Sequence, residues 1–230
     1  MNAPANYSHQ EGLFETRYAK KTVVFGAGSV GGYVPIYLGG MGVKDIEVWD
    51  ADSVASHNIP MSVYRAGNPK SPELPERPSD VGRLKVHVLR EIVAEKTGII
   101  IKVFPEMYTG QTKLKNVSVV SCVDTMSARR DIWKRVKKNP SIHLFCDTRV
   151  AEYYLEVLAI APCDPQDIKR YEALLCDDKD AKRQMCGMHG TPLVASRAAN
   201  IAVQNLTTFW QTGRKQWRVA ERCDTLARVF

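Results

Sequence analysis

The sequence predicts an α/β fold, a doubly wound and mostly parallel sheet with an antiparallel C-terminal extension. Three observations carry that reading. Short apolar runs rich in β-branched residues, as in strands buried on both faces, alternate with longer helical stretches. The first run stops at a glycine, and further glycines follow at fixed spacing in "VVFGAGSVGG". A chain of 230 residues, 44% hydrophobic and 25% charged, also suits one α/β domain.

Taken in order, "KTVVFG" is the first buried strand, and "SVGGYVPIYLGGMG" reads as a helix closed by the glycines at 39, 40 and 42. "DIEVWD" is the second strand. "GNPKSPELPERPSD" carries prolines at 69, 72, 75 and 78 and excludes a regular element, so about 66–80 is expected as a mobile loop. "VGRLKVHVLREIVAEKTG" places apolar residues three and four apart, as an amphipathic helix does. "IIIKVFPE" and "VSVVSCVD" are two more strands, "SARRDIWKRVKKN" a basic helix and "SIHLFCD" a further strand. After Asp147 the pattern changes. "EYYLEVLAIAP" reads as a strand extending the sheet, and "CDPQDIKRYEALLCDDKDAKRQMCGMHG" is irregular around one short helix. "TPLVASRAANIAVQNLTTFWQTG" is a long helix. The expected organisation is an arm over 1–20, one domain over 21–212 and a tail over 213–230.

Composition excludes several functions. No run of 18 apolar residues exists to span a membrane, and the start lacks an apolar signal core, so a cytoplasmic protein is expected. The net charge of +7 gathers in "RLKVHVLR", "ARRDIWKRVKK" and "GRKQWR", which read as solvated helix faces first and as sites for phosphates or an acidic partner second. No recognition motif accompanies the charge, so nucleic acid is not expected. Six cysteines at 122, 146, 163, 176, 186 and 223 form no C-x-x-C pair, and a disulfide framework is not expected either.

Gly26, Gly28 and Gly31 form G-x-G-x-x-G between a strand and a helix, the setting of a Rossmann-like dinucleotide or nucleotide turn. Gly26 permits the tight turn, Gly28 lets backbone approach phosphate, and Gly31 lets the helix close on the sheet. Phosphates would meet free N–H groups at the helix start. Asp50, ending the second strand, can hold ribose hydroxyls, and to this point NAD and ATP fit equally. Asp52, Asn58, Lys85, Asp124 and Arg129 separate them, because these residues suit a triphosphate with Mg²⁺ better than a hydride carrier.

Together "GAGSVG", "DADSVASHNI", "DVGRLK" and "DTMSAR" resemble the ubiquitin-activating superfamily of MoeB/ThiF/HesA-like adenylyltransferases, over roughly residues 20 to 210. "DTRVAEYYLEVLAIAP" and "MCGMHGTPLVASRAANIAVQNL" are similar to short stand-alone ThiF-like proteins of bacteria and phages. The resemblance implies ATP-dependent adenylation of the C-terminal carboxylate of a ubiquitin-like or sulfur-carrier protein ending in Gly-Gly, by a homodimer or heterodimer. By position it puts Asp50 on ribose, Asn58 and Lys85 on the triphosphate and Asp124 on Mg²⁺. Arg129 either joins the nucleotide site or holds Asp124 in place.

The chain departs from that pattern in two places. Met61 and Ser62 stand where the family has a phosphate-binding arginine and a glutamine; Arg65, Arg77 or a partner's arginine are the candidate replacements. The zinc-binding C-x-x-C pairs of many relatives are missing, and Cys176, Cys186 and His189 make a poor substitute, so zinc is not expected. Cys186 is a candidate thioester- or persulfide-forming nucleophile, with a packed cysteine as the alternative. His57 is read as a turn cap, His87 and His189 as surface or structural residues, and Trp210 and Trp217 as packing or dimer contacts. Two other functions compete: a non-catalytic scaffold, ATP-binding or ATP-free, that recruits a carrier protein or a conjugating partner and is favoured by Met61, and an NAD-dependent oxidoreductase, which leaves Lys85, Asp124 and Arg129 unexplained.

Overall fold

The computed structural model describes residues 6–68, 75–109, 113–178 and 191–224. Its strands are β1 (Lys21–Phe25), β2 (Ile46–Trp49), β3 (Lys102–Phe104), β4 (Val117–Ser121), β5 (Ile142–Ala151), β6 (Tyr154–Ile160) and β7 (Arg218–Arg222). The helices are α1 (Tyr33–Gly40), α2 (Lys85–Thr97), α3 (Met126–Val136), α4 (Pro165–Glu172) and α5 (Pro192–Thr212). One seven-stranded sheet runs in the order β3-β2-β1-β4-β5-β6-β7. β1 to β5 pair in parallel, and β6 and β7 complete the sheet antiparallel.

The continuous apolar runs form strands because both faces of the sheet are covered. On one face Val24, Val48, Val120, Leu155 and Val157 pack with α1, α2 and α5. On the other, Val23, Phe25, Val119, Phe145 and Leu158 meet Trp133 of α3 and Tyr171 of α4. Alternate residues of each strand serve opposite cores, so no polar face is left to mark the period.

Chain punctuation sets the helix limits. The Thr125 side chain accepts from the Ala128 amide, Asp164 from Gln166 and Thr191 from Val194, each supplying an N-terminal acceptor. Gly98 and Gly213 end α2 and α5 at φ of 73° and 71°. The first helix starts later than the sequence reading placed it. Gly28 to Gly32 form turns, with the Gly32 amide donating to Gly28 O at 3.0 Å, and α1 begins only at Tyr33.

Two segments add what the pattern did not show. Within 213–230, read as a tail, β7 pairs with β6 from Tyr154↔Arg222 to Leu158↔Arg218, all but the last two residues of that strand. Within the arm, Phe14 is buried against Trp210, and the Glu15 amide donates to Gln211 Oε1 at 3.2 Å, tying the start of the chain to the end of α5. No helix among the described residues is long and apolar enough to cross a membrane.

Candidate nucleotide site

The strand order turns outward from the middle: β1 leads to β2 on one side, and the chain later returns to place β4 on the other. Open α/β sheets bind ligands beyond the strand carboxyl ends at such a switch point. Here the turn after β1 and the segment after β4 face each other across it.

The glycines of the first turn are demanded by contact. Gly26 has φ +91°, and a Cβ there would stand 2.7 Å from Cys122 O. A Cβ on Gly31 would stand 1.9 Å from Gly26 O, so no other residue fits without moving the turn. Gly28 differs: a Cβ there meets nothing within 4 Å. The turn is therefore locked behind and open in front, where an anionic group could approach its backbone.

A chain of polar contacts fixes the turn to its surroundings. Asp50 accepts from the Ala27 amide at 2.6 Å and from the Asp52 amide at 2.8 Å. The Asp52 carboxylate pairs with Lys85 Nζ at 2.8 Å, while the Lys85 amide donates to Asp52 O at 2.9 Å. The buried Tyr64 hydroxyl donates to Ala27 O at 2.5 Å and lies 3.5 Å from Lys85 O, which completes the circuit. Burial first, and then Asp50, Asp80 and Asp52, push the Tyr64 hydroxyl well above its ordinary value, so it stays a donor. Lys85 is only 8% exposed, whereas the side chain of its partner Asp52 is 70% exposed. A lysine sunk to its charged tip, with one solvent-facing partner, can exchange that partner for phosphate.

On the other side, Asp124 is exposed just ahead of α3. Arg129 does not stand in the crevice. It is 3% exposed, pairs with Asp147 at 2.8 Å, donates to Thr148 O at 3.1 Å and also donates to Val123 O, the carbonyl before Asp124. These contacts tie α3 to the end of β5 and to the carbonyl next to Asp124. Asp147 also accepts from Arg149 Nε at 2.9 Å and from the Tyr171 hydroxyl at 3.1 Å. Asp178 receives the amides of Met126 and Ser127, which places the chain's own carboxylate at the start of α3. Cys122, under the glycine turn, is pushed up to about 12 by burial and remains a neutral thiol.

Other predicted residues are placed elsewhere. Arg65 binds Asp80 at 3.0 Å and Glu95 at 3.1 Å. Glu95 lies ten positions along α2 from Lys85, about 15 Å at the helical rise, so the Arg65 guanidinium points down the helix from the lysine. Arg77 is 4.0 Å from the same Glu95. In this arrangement both guanidinium groups are engaged with Glu95. Met61 is half-buried at the end of the 3₁₀ turn Ser56–Met61. Asn58 Oδ1 accepts from the Ala55 amide at 2.9 Å, capping that turn. His57 is exposed within it. Trp210 is buried and donates to Ser118 Oγ at 2.9 Å, and Trp217 packs against the second core. Cys186 and His189 lie outside the described residues. Among the described residues, no group of three His, Cys, Asp or Glu could enclose a metal ion, so a cation at Asp124 would lean on nucleotide phosphates. An open groove of about 810 Å³, lined by Lys137, Lys138, Lys169 and Cys163, lies at the other end of α3 and includes none of these residues.

Sequence reasoning missed Tyr64, Asp147 and Arg149. Only Asp147, an acid ending a buried run, left a usable signal.

The ThiF family matches residues 6–222. The chain belongs to the ThiF family. Among solved structures, this ThiF family chain is similar to Escherichia coli MccB with ATP, at a TM-score of 0.62 and 15% identity, over 90% of this chain and 61% of that one. The microcin C7 biosynthetic enzyme MccB in complex with N-formylated MccA gives a TM-score of 0.63 at 14% identity, covering 90% and 63%. PaaA gives 0.62 at 15% identity, covering 89% and 61%. The chain thus spans less than two thirds of the length of these structures, and the likeness is one of fold. No curated protein matches the sequence.

Proposed function

We propose that this chain is an ATP-dependent adenylyltransferase that activates the C-terminal carboxylate of a ubiquitin-like or sulfur-carrier protein ending in Gly-Gly. The observation that carries the reading is the glycine turn, open at Gly28 and joined through Asp50 and Asp52 to a nearly buried Lys85. The family supports it, and so does the likeness to a protein that was crystallised with ATP and with MccA.

In the reaction, a carboxylate oxygen of the carrier attacks the α-phosphorus of ATP. The bond from that phosphorus to the bridging oxygen breaks, pyrophosphate leaves, and acyl-AMP forms. No protein nucleophile is needed. The turn would seat the phosphates on backbone N–H groups, Asp50 would hold the ribose, and Lys85 would turn from Asp52 to the phosphates. Mg²⁺, held by Asp124, would neutralise charge on the phosphate oxygens. Preorganised cations around developing charge are the main source of rate in such transfers. Cys186 remains the candidate for later thioester or persulfide transfer, and a dimer would offer an arginine in trans beside Met61.

The experiment is ATP–pyrophosphate exchange with candidate carriers, run beside thermal shifts with ATP–Mg²⁺ and with NAD. Exchange that depends on a carrier and falls at least a hundredfold in Lys85→Met is the expected result. Stabilisation by NAD and not by ATP would refute it. Met61 favours one second reading, a nucleotide-binding subunit without turnover, which binding without exchange would support.

A further inference from the structure

Tyr64 is 4% exposed, and its phenol makes the hydrogen bond by which the segment after the 3₁₀ turn reaches the glycine turn, beside the Val63 side chain that packs at Gly32. Ala27 is gripped on both sides: Asp50 takes its N–H and Tyr64 holds its carbonyl. The same phenol lies against the carbonyl of Lys85. Behind Tyr64, the Arg65 amide donates to Asp80 Oδ2 at 2.8 Å, and the Asp80 amide returns a hydrogen bond to Arg65 O at 3.0 Å. The Arg65 guanidinium then clamps Asp80 and Glu95. Tyr64 is thus rooted on one side and in contact with both phosphate-facing features on the other.

We infer that Tyr64 is a positioning residue that holds the glycine turn against the Lys85 end of α2 and so sets the affinity for the nucleoside triphosphate, with Arg65 acting through it. The inference rests on reading this turn as the nucleotide site. A turn held in its binding shape loses no freedom when phosphate arrives, whereas a loosened one must be ordered at the expense of affinity. The turn contacts phosphate alike before and during the reaction, so loosening it weakens ground state and transition state together. Such a loss raises KM and leaves kcat unchanged.

The test is Tyr64→Phe, which keeps the ring in the core and deletes one hydrogen bond. ATP–Mg²⁺ binding is titrated in wild type and variant, and exchange kinetics are measured in both. The expected result is a Kd and KM about three to ten times higher with kcat within about twofold, the scale of one hydrogen bond. A merely structural tyrosine would lower the active fraction, reducing apparent kcat at unchanged KM, and that outcome overturns the inference. So does an unchanged Kd in a variant of a wild type that binds ATP. Failure of the wild type itself to bind ATP would defeat the nucleotide reading, and the inference with it. Arg65→Gln supplies the second arm: KM rises with kcat kept if Arg65 acts through Tyr64. A fall in kcat would instead assign Arg65 to the phosphates and overturn this account of it.

Discussion

Met61 stands where the resemblance puts a phosphate-binding arginine, and the two nearby arginines are engaged with Glu95 in the far half of α2, Arg65 also with Asp80 ahead of it. Met61 is half-buried, and an arginine stem at such a position can stay against the protein while its charged end reaches water or phosphate. Met61→Arg is therefore expected to raise the rate of pyrophosphate exchange by about tenfold or more, the value of a charged hydrogen bond. An unchanged or lower rate, with the variant folded, would show that this position is not the missing contact. At this scale the sequence revealed residues whose chemistry depends on short spacing. Gly26, Gly28, Gly31, Asp50 and Asp52 lie close together, and the structure joins Lys85 to them. It could not reveal Arg65 as the partner of Asp80 and Glu95, which stand 15 and 30 positions away. Tyr64 belongs to no pattern, because one buried hydroxyl leaves no periodic trace.

β5 carries Asp147 and Arg149 into the space between β4, β6, α3 and α4. Asp147 is fully buried and is shared by Arg129 and Arg149. Removing the carboxylate takes the shared anion from both guanidinium groups, leaving Arg129 with the Thr148 and Val123 carbonyls and Arg149 with Glu156, at 3.4 Å, and Leu174 O. Asp147→Ala is expected to lose about 3–5 kcal/mol of unfolding free energy, read from denaturant titration. A loss under about 1 kcal/mol would mean that the arginines find other acceptors or water. The strand itself was legible as far as Asp147. Its continuation to Ala151 was not, because Thr148 to Ala151 become strand only by pairing with β6, a hairpin in which Glu152 adopts φ 51°. β7 escaped notice for the reverse reason. "RVAER" alternates exposed and half-buried residues as an edge strand does, and in sequence that looks like a polar end.

Over the whole molecule, the two cores cover both faces of the sheet, and protons are held inside them. Burial pushes Cys122 up to about 12, raises Cys146 further, and lifts Tyr171 well above its ordinary value. An unfolded chain releases the thiol protons near their ordinary value of 9.0, and the native chain keeps them. Above that pH the unfolded state binds fewer protons, so stability falls as pH rises. It is fully present below about 9 and declines by up to roughly 1.4 kcal/mol per pH unit for each thiol. Urea midpoints measured from pH 7.5 to 10.5 are expected to stay level and then drop; a level curve throughout would contradict the burial described. The class of fold was legible because alternation of apolar runs and helices survives at any resolution of reading. A crevice beyond the strand carboxyl ends followed from it, whereas the strand order did not, because the pairing of β4 with β1 joins segments far apart in the chain.

The fringe strand has a bearing on any shortened version of this protein. β6 is an almost wholly apolar ribbon, and β7 shields its free rim with arginines and a glutamate. A chain stopped after α5 would keep the glycine turn, Asp50, Lys85 and Asp124, yet bare a row of unmet backbone donors and acceptors on a greasy strand. Such a rim recruits its like, and clumping, rather than loss of chemistry, is the failure to anticipate.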